Sequence, residues 1–209
     1  MPTTRLLLVR HGGTLLSIED RFAGSTDVDL SDEGRQQALS LSRRLANTRI
    51  DAAYCSPMRR TIDTAAAVCR PHNLTPASSP GLREIDHGHW EGMRHKDVEA
   101  NFPAEYAAWS ADPFLCPPTA GESGLEVLAR ALPAVRNIVA ANPGRTVLAV
   151  SHKATIRLVV CALLGLDARL YRQRLQQDLA CLNILDFFDP SSARLVLLND
   201  ISHYSPAPV

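Results

Sequence analysis

The stretch Leu6-Leu7-Leu8-Val9-Arg10-His11-Gly12-Gly13 decides the fold class. Four apolar residues in a row, too few for a helix, read as a strand buried on both faces. The run stops abruptly at an arginine, a histidine and two glycines. A second stretch has the same design: Thr146 to Val150 is apolar and ends at Ser151-His152. Ile50 to Cys55 is a further short strand, and another is expected near Leu74 to Ala77. Helical patterns separate them. Leu30-Ser31-Asp32-Glu33 predicts a helix start with Ser31 as N-cap, followed by Ala38, Leu41 and Leu45 at helical spacing. Ser56-Pro57 predicts another, with Ser56 as N-cap and the helix running to about Arg70. Ser123-Gly-Leu-Glu126 is a capping box, and Pro133 is expected to kink or divide the helix it opens. Helix is also expected over about 153 to 164. Leu182 to Phe188 and Arg194 to Leu198 read as a closing hairpin at one sheet edge.

Strands alternating with helices imply an α/β fold with three layers, α/β/α, around a largely parallel sheet. Residues 94 to 120, broken by Pro103, Pro113, Pro117 and Pro118, read as a small helical cover over the C-terminal edge of the strands. The 209 residues are expected to form one domain, 1–209. In such sheets ligands bind outside the carboxyl ends of the strands. Parallel strands would therefore carry His11 and His152 to the same edge.

Composition narrows the partners. Lys+Arg and Asp+Glu are both 22, so the net charge is zero and bulk charge gives no case for nucleic acid or an acidic membrane. Lys96 and Lys153 are the only lysines. Five cysteines without a C-x-x-C pair suggest free thiols in a reducing, cytoplasmic setting. No apolar run is long enough to span a bilayer.

Four pieces could carry chemistry. Arg10-His11-Gly12-Gly13-Thr14 sets a histidine beside a guanidinium fork that suits phosphate, with glycines that let backbone come close to a ligand. Ser56-Pro57-Met58-Arg59-Arg60-Thr61-Ile62-Asp63-Thr64-Ala65 puts arginines at a helix start, where anions are favoured. Leu82-Arg83-Glu84-Ile85-Asp86-His87-Gly88-His89-Trp90-Glu91-Gly92 supplies carboxylates on a loop. Val150-Ser151-His152-Lys153 is the second strand-end histidine.

Together these resemble the histidine phosphatase superfamily, which includes the cofactor-dependent phosphoglycerate mutases. The resemblance spans roughly residues 5 to 200. Arg10-His11-Gly12 is similar to its R-H-G signature. Arg60 matches the arginine of its S-P-x-x-R-A-x-x-T-A pattern, Glu84 the acid of its L-R-E-I-x-x-G-x-W-E-G loop, and His152 its strand-end histidine. Gly13, Ser17 and Lys153 depart from the family, which often has Glu or Gln, Asn, and a small residue there. Thr61 replaces the usual alanine.

The resemblance implies a covalent route. His11 would attack phosphorus, its other ring nitrogen donating to a backbone carbonyl. Arg10, Arg60 and His152, the last as an imidazolium, would stabilise the transferring group. Glu84 would protonate the leaving oxygen and then activate water. No metal or other cofactor is expected, although His87, His89 and His95 are ligand types. A mutase would need 2,3-bisphosphoglycerate as primer. The short chain and small cover favour hydrolysis of a small phosphate ester over the mutase, and both over a non-catalytic phosphate-binding module. Gly12, Thr14, Ser17, Arg21, Arg83, His87 and Lys153 are the expected substrate-binding residues. Lys153, Arg21, Arg83 and His87 would suit a substrate carboxylate, and the final strands offer an edge for a homodimer.

Other phosphoryl-transfer designs fail on spacing. A cysteine phosphatase needs C-x5-R, and counting from Cys55 reaches Thr61. No G-x4-G-K-[ST] run exists for a phosphate-binding loop.

Overall fold

A computed structural model describes residues 2–204. Its strands are β1 (Thr4–Arg10), β2 (Ala52–Cys55), β3 (Ala77–Ser78), β4 (Thr146–Ser151), β5 (Leu182–Asp189) and β6 (Ser192–Asp200). Its helices are α1 (Leu15–Ile18), α2 (Asp32–Leu45), α3 (Arg59–Cys69), α4 (His95–Asn101), α5 (Pro103–Ala111), α6 (Gly124–Ala140), α7 (Lys153–Leu163) and α8 (Tyr171–Arg174). The six strands form one sheet in the order β3-β2-β4-β1-β5-β6. The first four are mutually parallel, while β5 and β6 close the sheet as an antiparallel hairpin.

The pleat of β1 splits its apolar run between two cores. Leu6 and Leu8 face α6 and α7 with Val127, Val135, Ile156 and Val159. Leu7 and Val9 face α2 and α3 with Leu41, Leu45, Ala65 and Val68. Each such aliphatic burial contributes about 1.5–3 kcal/mol before entropy is charged against it. The result is the expected three-layer α/β/α arrangement. A third cluster of Phe22, Trp90, Val98 and Trp109 packs with Phe102 and Tyr106 of the α4–α5 segment.

The connections create the site. The helix after β1 lies on one face of the sheet and the helix after β4 on the other. Adjacent parallel strands whose chains leave to opposite faces open a crevice at their carboxyl ends. Arg10 pairs with Ser151 at the end of that β1–β4 ladder, so His11 and His152 are neighbours.

Several local expectations hold. Ser31 caps α2 by accepting from the Gly34 amide, and Ser123 and Glu126 form the capping box of α6. Two need correction. Ser56 does not cap α3, which starts at Arg59 with Met58 at the cap position and no side-chain cap bond. Its hydroxyl is turned to His152 instead. Pro133 does not divide α6, which runs through it as one helix. The Ala129 carbonyl, which a residue with an N–H at 133 would have bonded, is on an exposed face where water can serve it. The third strand is also shorter and later than its apolar pattern suggests. Among the described residues the five cysteines are free; Cys55, Cys69, Cys161 and Cys181 are buried and Cys116 is half-buried. No helix there is long and apolar enough to cross a membrane.

Candidate active site

His11 leaves the end of β1 with its main chain fixed on both sides. Its amide donates to Ser151 O, and its carbonyl accepts from Ala180 N. The ring's Nδ1 is 2.7 Å from Gly12 O. A carbonyl can only accept, so Nδ1 carries the proton and Nε2 keeps its lone pair. Burial, and then the charges of Arg60 and Arg10, hold His11 well below the usual imidazole range. A neutral ring with a free Nε2 is the form that can act as a nucleophile.

Gly12 is required by packing. A Cβ there would lie 2.4 Å from Gly34 O, where the first turn of α2 crosses the loop. Its amide donates to Thr64 Oγ1 and its carbonyl serves His11, so both backbone groups are committed inside the protein.

Arg60 comes from the first turn of α3 and is only 1% exposed. Its Nη1 donates to Thr26 O and its Nη2 to Gly24 O, both at 2.8 Å. Those carbonyls belong to a loop that Glu91 organises. One Glu91 oxygen accepts from the amides of Gly24, Ser25 and His87, each at 3.0 Å. The other accepts from Thr26 N at 3.1 Å and Thr26 Oγ1 at 2.6 Å. Burial alone would raise the Glu91 carboxyl, but these bonds outweigh it and its pKa lies below the ordinary value.

Arg60 Nε donates to His152 Nδ1 at 3.3 Å, and His152 Nε2 is 2.9 Å from Ser56 Oγ. An Nδ1 that accepts from a guanidinium carries no proton, so this ring is neutral and Nε2 is its donor. Burial, and then the charges of Arg60 and Arg10, push it well below the usual imidazole range. The expected imidazolium is therefore not the form present: burial and the Arg60 and Arg10 guanidiniums oppose it. The two imidazole centroids are 5.1 Å apart.

Glu84 lies where the 82–92 loop meets the start of α7. Its carboxylate accepts from the amides of Ile85, Ala154 and Thr155 and from Thr155 Oγ1, at 3.0–3.2 Å. Arg130 on α6 holds the same loop by its main chain, donating to the carbonyls of Gly81, Arg83 and Glu84 while pairing with Glu122.

These groups surround a cavity of about 550 Å³. Of the expected residues, Arg10, His11, Thr14, Ser17, Arg21, Arg60, Glu84, His87 and Lys153 line it. His152 is fully buried behind them. Arg83 is exposed and outside the cavity, because extended backbone sends it and Glu84 to opposite sides. The Ser17 hydroxyl donates to Thr14 O and accepts from Thr14 N in a capping box for α1, so it is engaged locally. Arg21 is tied to Glu19 and Gly92 O. His89 pairs with Glu105 instead of joining His87 and His95, and the described residues hold no cluster of three metal-ligating side chains.

His95, expected only as a ligand type, lines the cavity too, and so do Phe22, Trp109, Arg157, Tyr171 and Arg172, which no sequence motif marks. Ser56 and Arg130 were also overlooked as supports. The Lys153–Arg157 spacing on one helix face was the only signal available for them.

Comparison with known proteins fits this geometry. A sequence profile of the histidine phosphatase superfamily (branch 1) matches residues 6–201. Phosphoserine phosphatase 1 of Hydrogenobacter thermophilus is 34% identical over 163 residues, 78% of this chain and 77% of that one. Glucosyl-3-phosphoglycerate phosphatase of Mycolicibacterium vanbaalenii is 36% identical over 173 residues, 79% and 76% of the two chains. Among solved structures, Bacillus stearothermophilus YhfR superposes with a TM-score of 0.89 at 30% identity, covering 96% of this chain and 98% of its own. A mycobacterial glucosyl-3-phosphoglycerate phosphatase in complex with VO3 gives 0.84 at 31% identity, covering 93% and 98%. With a profile match over nearly its whole length and relatives above 30% identity, the chain belongs to the histidine phosphatase superfamily, branch 1.

Proposed function

We propose that the protein is a phosphomonoester hydrolase that acts on a small phosphorylated metabolite through a phosphohistidine on His11. The observation that carries this reading is the His11 ring. Its Nδ1–H is spent on Gly12 O, and its Nε2 belongs to a buried neutral imidazole between two arginines. The named relatives are phosphatases, which supports hydrolysis over phosphoryl return.

In this reading an ester's phosphoryl group sits at the carboxyl ends of β1 and β4. Arg10 and Arg60 bind its oxygens and stabilise the charge that builds in the transition state. His11 Nε2 forms a bond to phosphorus as the bond to the alcohol oxygen breaks. Glu84, entering this step as the carboxylic acid, delivers its proton to that oxygen and is left as the carboxylate. In the second half, Glu84 takes a proton from water, the water oxygen bonds to phosphorus, and the P–N bond breaks to release phosphate and restore His11. His152 fixes the Arg60 guanidinium through Nε. A bound dianion would offset the cations that now keep this ring neutral. The chain's own side chains supply the positive charge for these steps, with no cofactor. The protein is read as one domain whose residues 94–120, which bring His95, Trp109 and Ser110 to the cavity, cover the site.

The test is incubation of metal-free protein with 3-phosphoglycerate, following free phosphate and 2-phosphoglycerate, with and without 2,3-bisphosphoglycerate. A panel of other phosphate esters runs in parallel. Phosphate release that disappears in His11→Ala is expected. Isomer formation that requires the bisphosphate would establish a mutase instead.

A further inference from the structure

The phosphoryl chemistry uses only part of the cationic charge in the cavity. Six cationic side chains line it, Arg10, Arg21, Arg60, Lys153, Arg157 and Arg172, against two carboxylates, Asp20 and Glu84. Arg10 and Arg60 flank His11, and Arg21 is held by Glu19 and Gly92 O. Glu84 is occupied by the first turn of α7. Lys153, Arg157 and Arg172 remain, all on the side formed by α7 and α8.

Arg157 is the most informative of the three. It is 8% exposed, yet it has no hydrogen bond and no ion pair among the described residues, and its buried Nε has no partner. A buried guanidinium without a counter-charge is costly. Lys153 lies one helical turn before it on the same face of α7. Arg172 comes from α8, with its guanidinium carbon 4.0 Å over the Trp109 ring. That contact restricts the guanidinium, and no hydrogen bond or ion pair among the described residues uses its N–H groups. Arg83, expected from sequence to read a substrate anion, is outside the cavity, and the spare charge lies on α7 and α8 instead.

We infer that Arg157, with Lys153 and Arg172, forms a second anion subsite, so that the preferred substrates carry a carboxylate or second phosphate on the alcohol half of the ester. This rests on the hydrolase reading and adds a substrate class to it. Arg157 and Arg172 are specificity-determining residues, distinct from the groups that touch the scissile phosphate.

Three esters test it: glycerol 3-phosphate, with a neutral alcohol half; 3-phosphoglycerate, with a carboxylate in place of one hydroxymethyl; and 1,3-propanediol bisphosphate, with a second phosphate. Wild type should prefer at least one anionic ester over glycerol 3-phosphate by tenfold or more in kcat/KM. The order of the two anionic esters tells which anion fits. In Arg157→Met, which keeps the stem and removes the charge, that ratio should fall by about tenfold. Arg172→Met provides the same readout if Arg157→Met does not fold. Equal kcat/KM for all three esters in wild type, or an unchanged ratio in both variants, overturns the subsite and leaves the hydrolase reading standing. Binding to His11→Ala, followed by calorimetry, separates the remaining cases. Tighter binding of the anionic esters with no turnover by wild type would support the subsite and overturn the hydrolase reading. Equal binding with no turnover would overturn both.

Discussion

Glu91 does not line the cavity, yet Arg60 depends on the loop it organises. Replacing it with glutamine tests whether the 23–26 loop positions the guanidinium. The carboxylate accepts from four backbone amides and one hydroxyl. An amide keeps one oxygen and puts two donors where the other stood. If the new NH2 faces Thr26, the Thr26 amide loses its acceptor; if it faces the other way, the Ser25 and His87 amides lose theirs. One buried unsatisfied N–H costs about 1–3 kcal/mol, and the remaining bonds lose their charge assistance. Glu91→Gln should therefore destabilise the fold by ~2–4 kcal/mol, read as a lower urea midpoint with unchanged slope. The Gly24 and Thr26 carbonyls that hold Arg60 are then free to shift. Partial loss of one transition-state donor predicts a 10- to 100-fold fall in kcat/KM on p-nitrophenyl phosphate, about 1.4–2.7 kcal/mol. Activity within twofold of wild type, or an unchanged urea midpoint, would refute the relay from Glu91 through the loop to Arg60.

The buried histidines make stability depend on pH. His11 and His152 are lowered by burial and by their arginine neighbours, and His203 is pushed to about 4 by burial and then Arg44. Between the folded value and the unfolded value near ~6.5 the unfolded chain binds more protons, so stability falls as pH drops below ~6.5, by up to ~1.4 kcal/mol per unit for each histidine. Urea titrations at pH 7.5 and 5.5 should show this loss, and equal midpoints would contradict it. Gly12→Ala should lower stability by ~1–3 kcal/mol, because its Cβ would meet Gly34 O at 2.4 Å, backbone against backbone; an unchanged thermal midpoint would count against that contact. Arg130→Met frees the Gly81, Arg83 and Glu84 carbonyls and should lower kcat by about tenfold or more. The loss should be greater on alkyl phosphates, which need a proton on the leaving oxygen, than on p-nitrophenyl phosphate; equal losses would separate Arg130 from Glu84.

The part of this molecule legible in its sequence is the part encoded locally. Two apolar runs that each end in histidine told both the strand and the sheet edge, because a parallel ladder places such residues side by side. Arg60 and Glu84, which line the cavity, stand in contiguous motifs that a sequence shows directly. What was missed depends on contacts distant in the chain. Ser56 resembles an N-cap by its neighbours, and only the proximity of His152 turns its hydroxyl elsewhere. Ser17 and Thr14 bond each other, a choice open to any serine near a helix start. Arg83 was misplaced because a loop has no reliable period until its backbone is known to be extended. Arg157 and Arg172 come from different helices and share a cavity that no spacing rule reveals. The neutral ring at His152, where an imidazolium was expected, follows from burial and then from the arginines that suit phosphate.

The central claim is a bond between phosphorus and Nε2 of His11. A phosphate ester labelled at phosphorus should be mixed with enzyme, quenched in alkali, where phosphohistidine survives, and the peptide carrying the label mapped. Label on Nε2 of His11, formed and lost at rates compatible with turnover and absent in His11→Ala, is the predicted result. Label on Nδ1, label on another residue, or phosphate release with no labelled enzyme under single-turnover conditions would contradict the account.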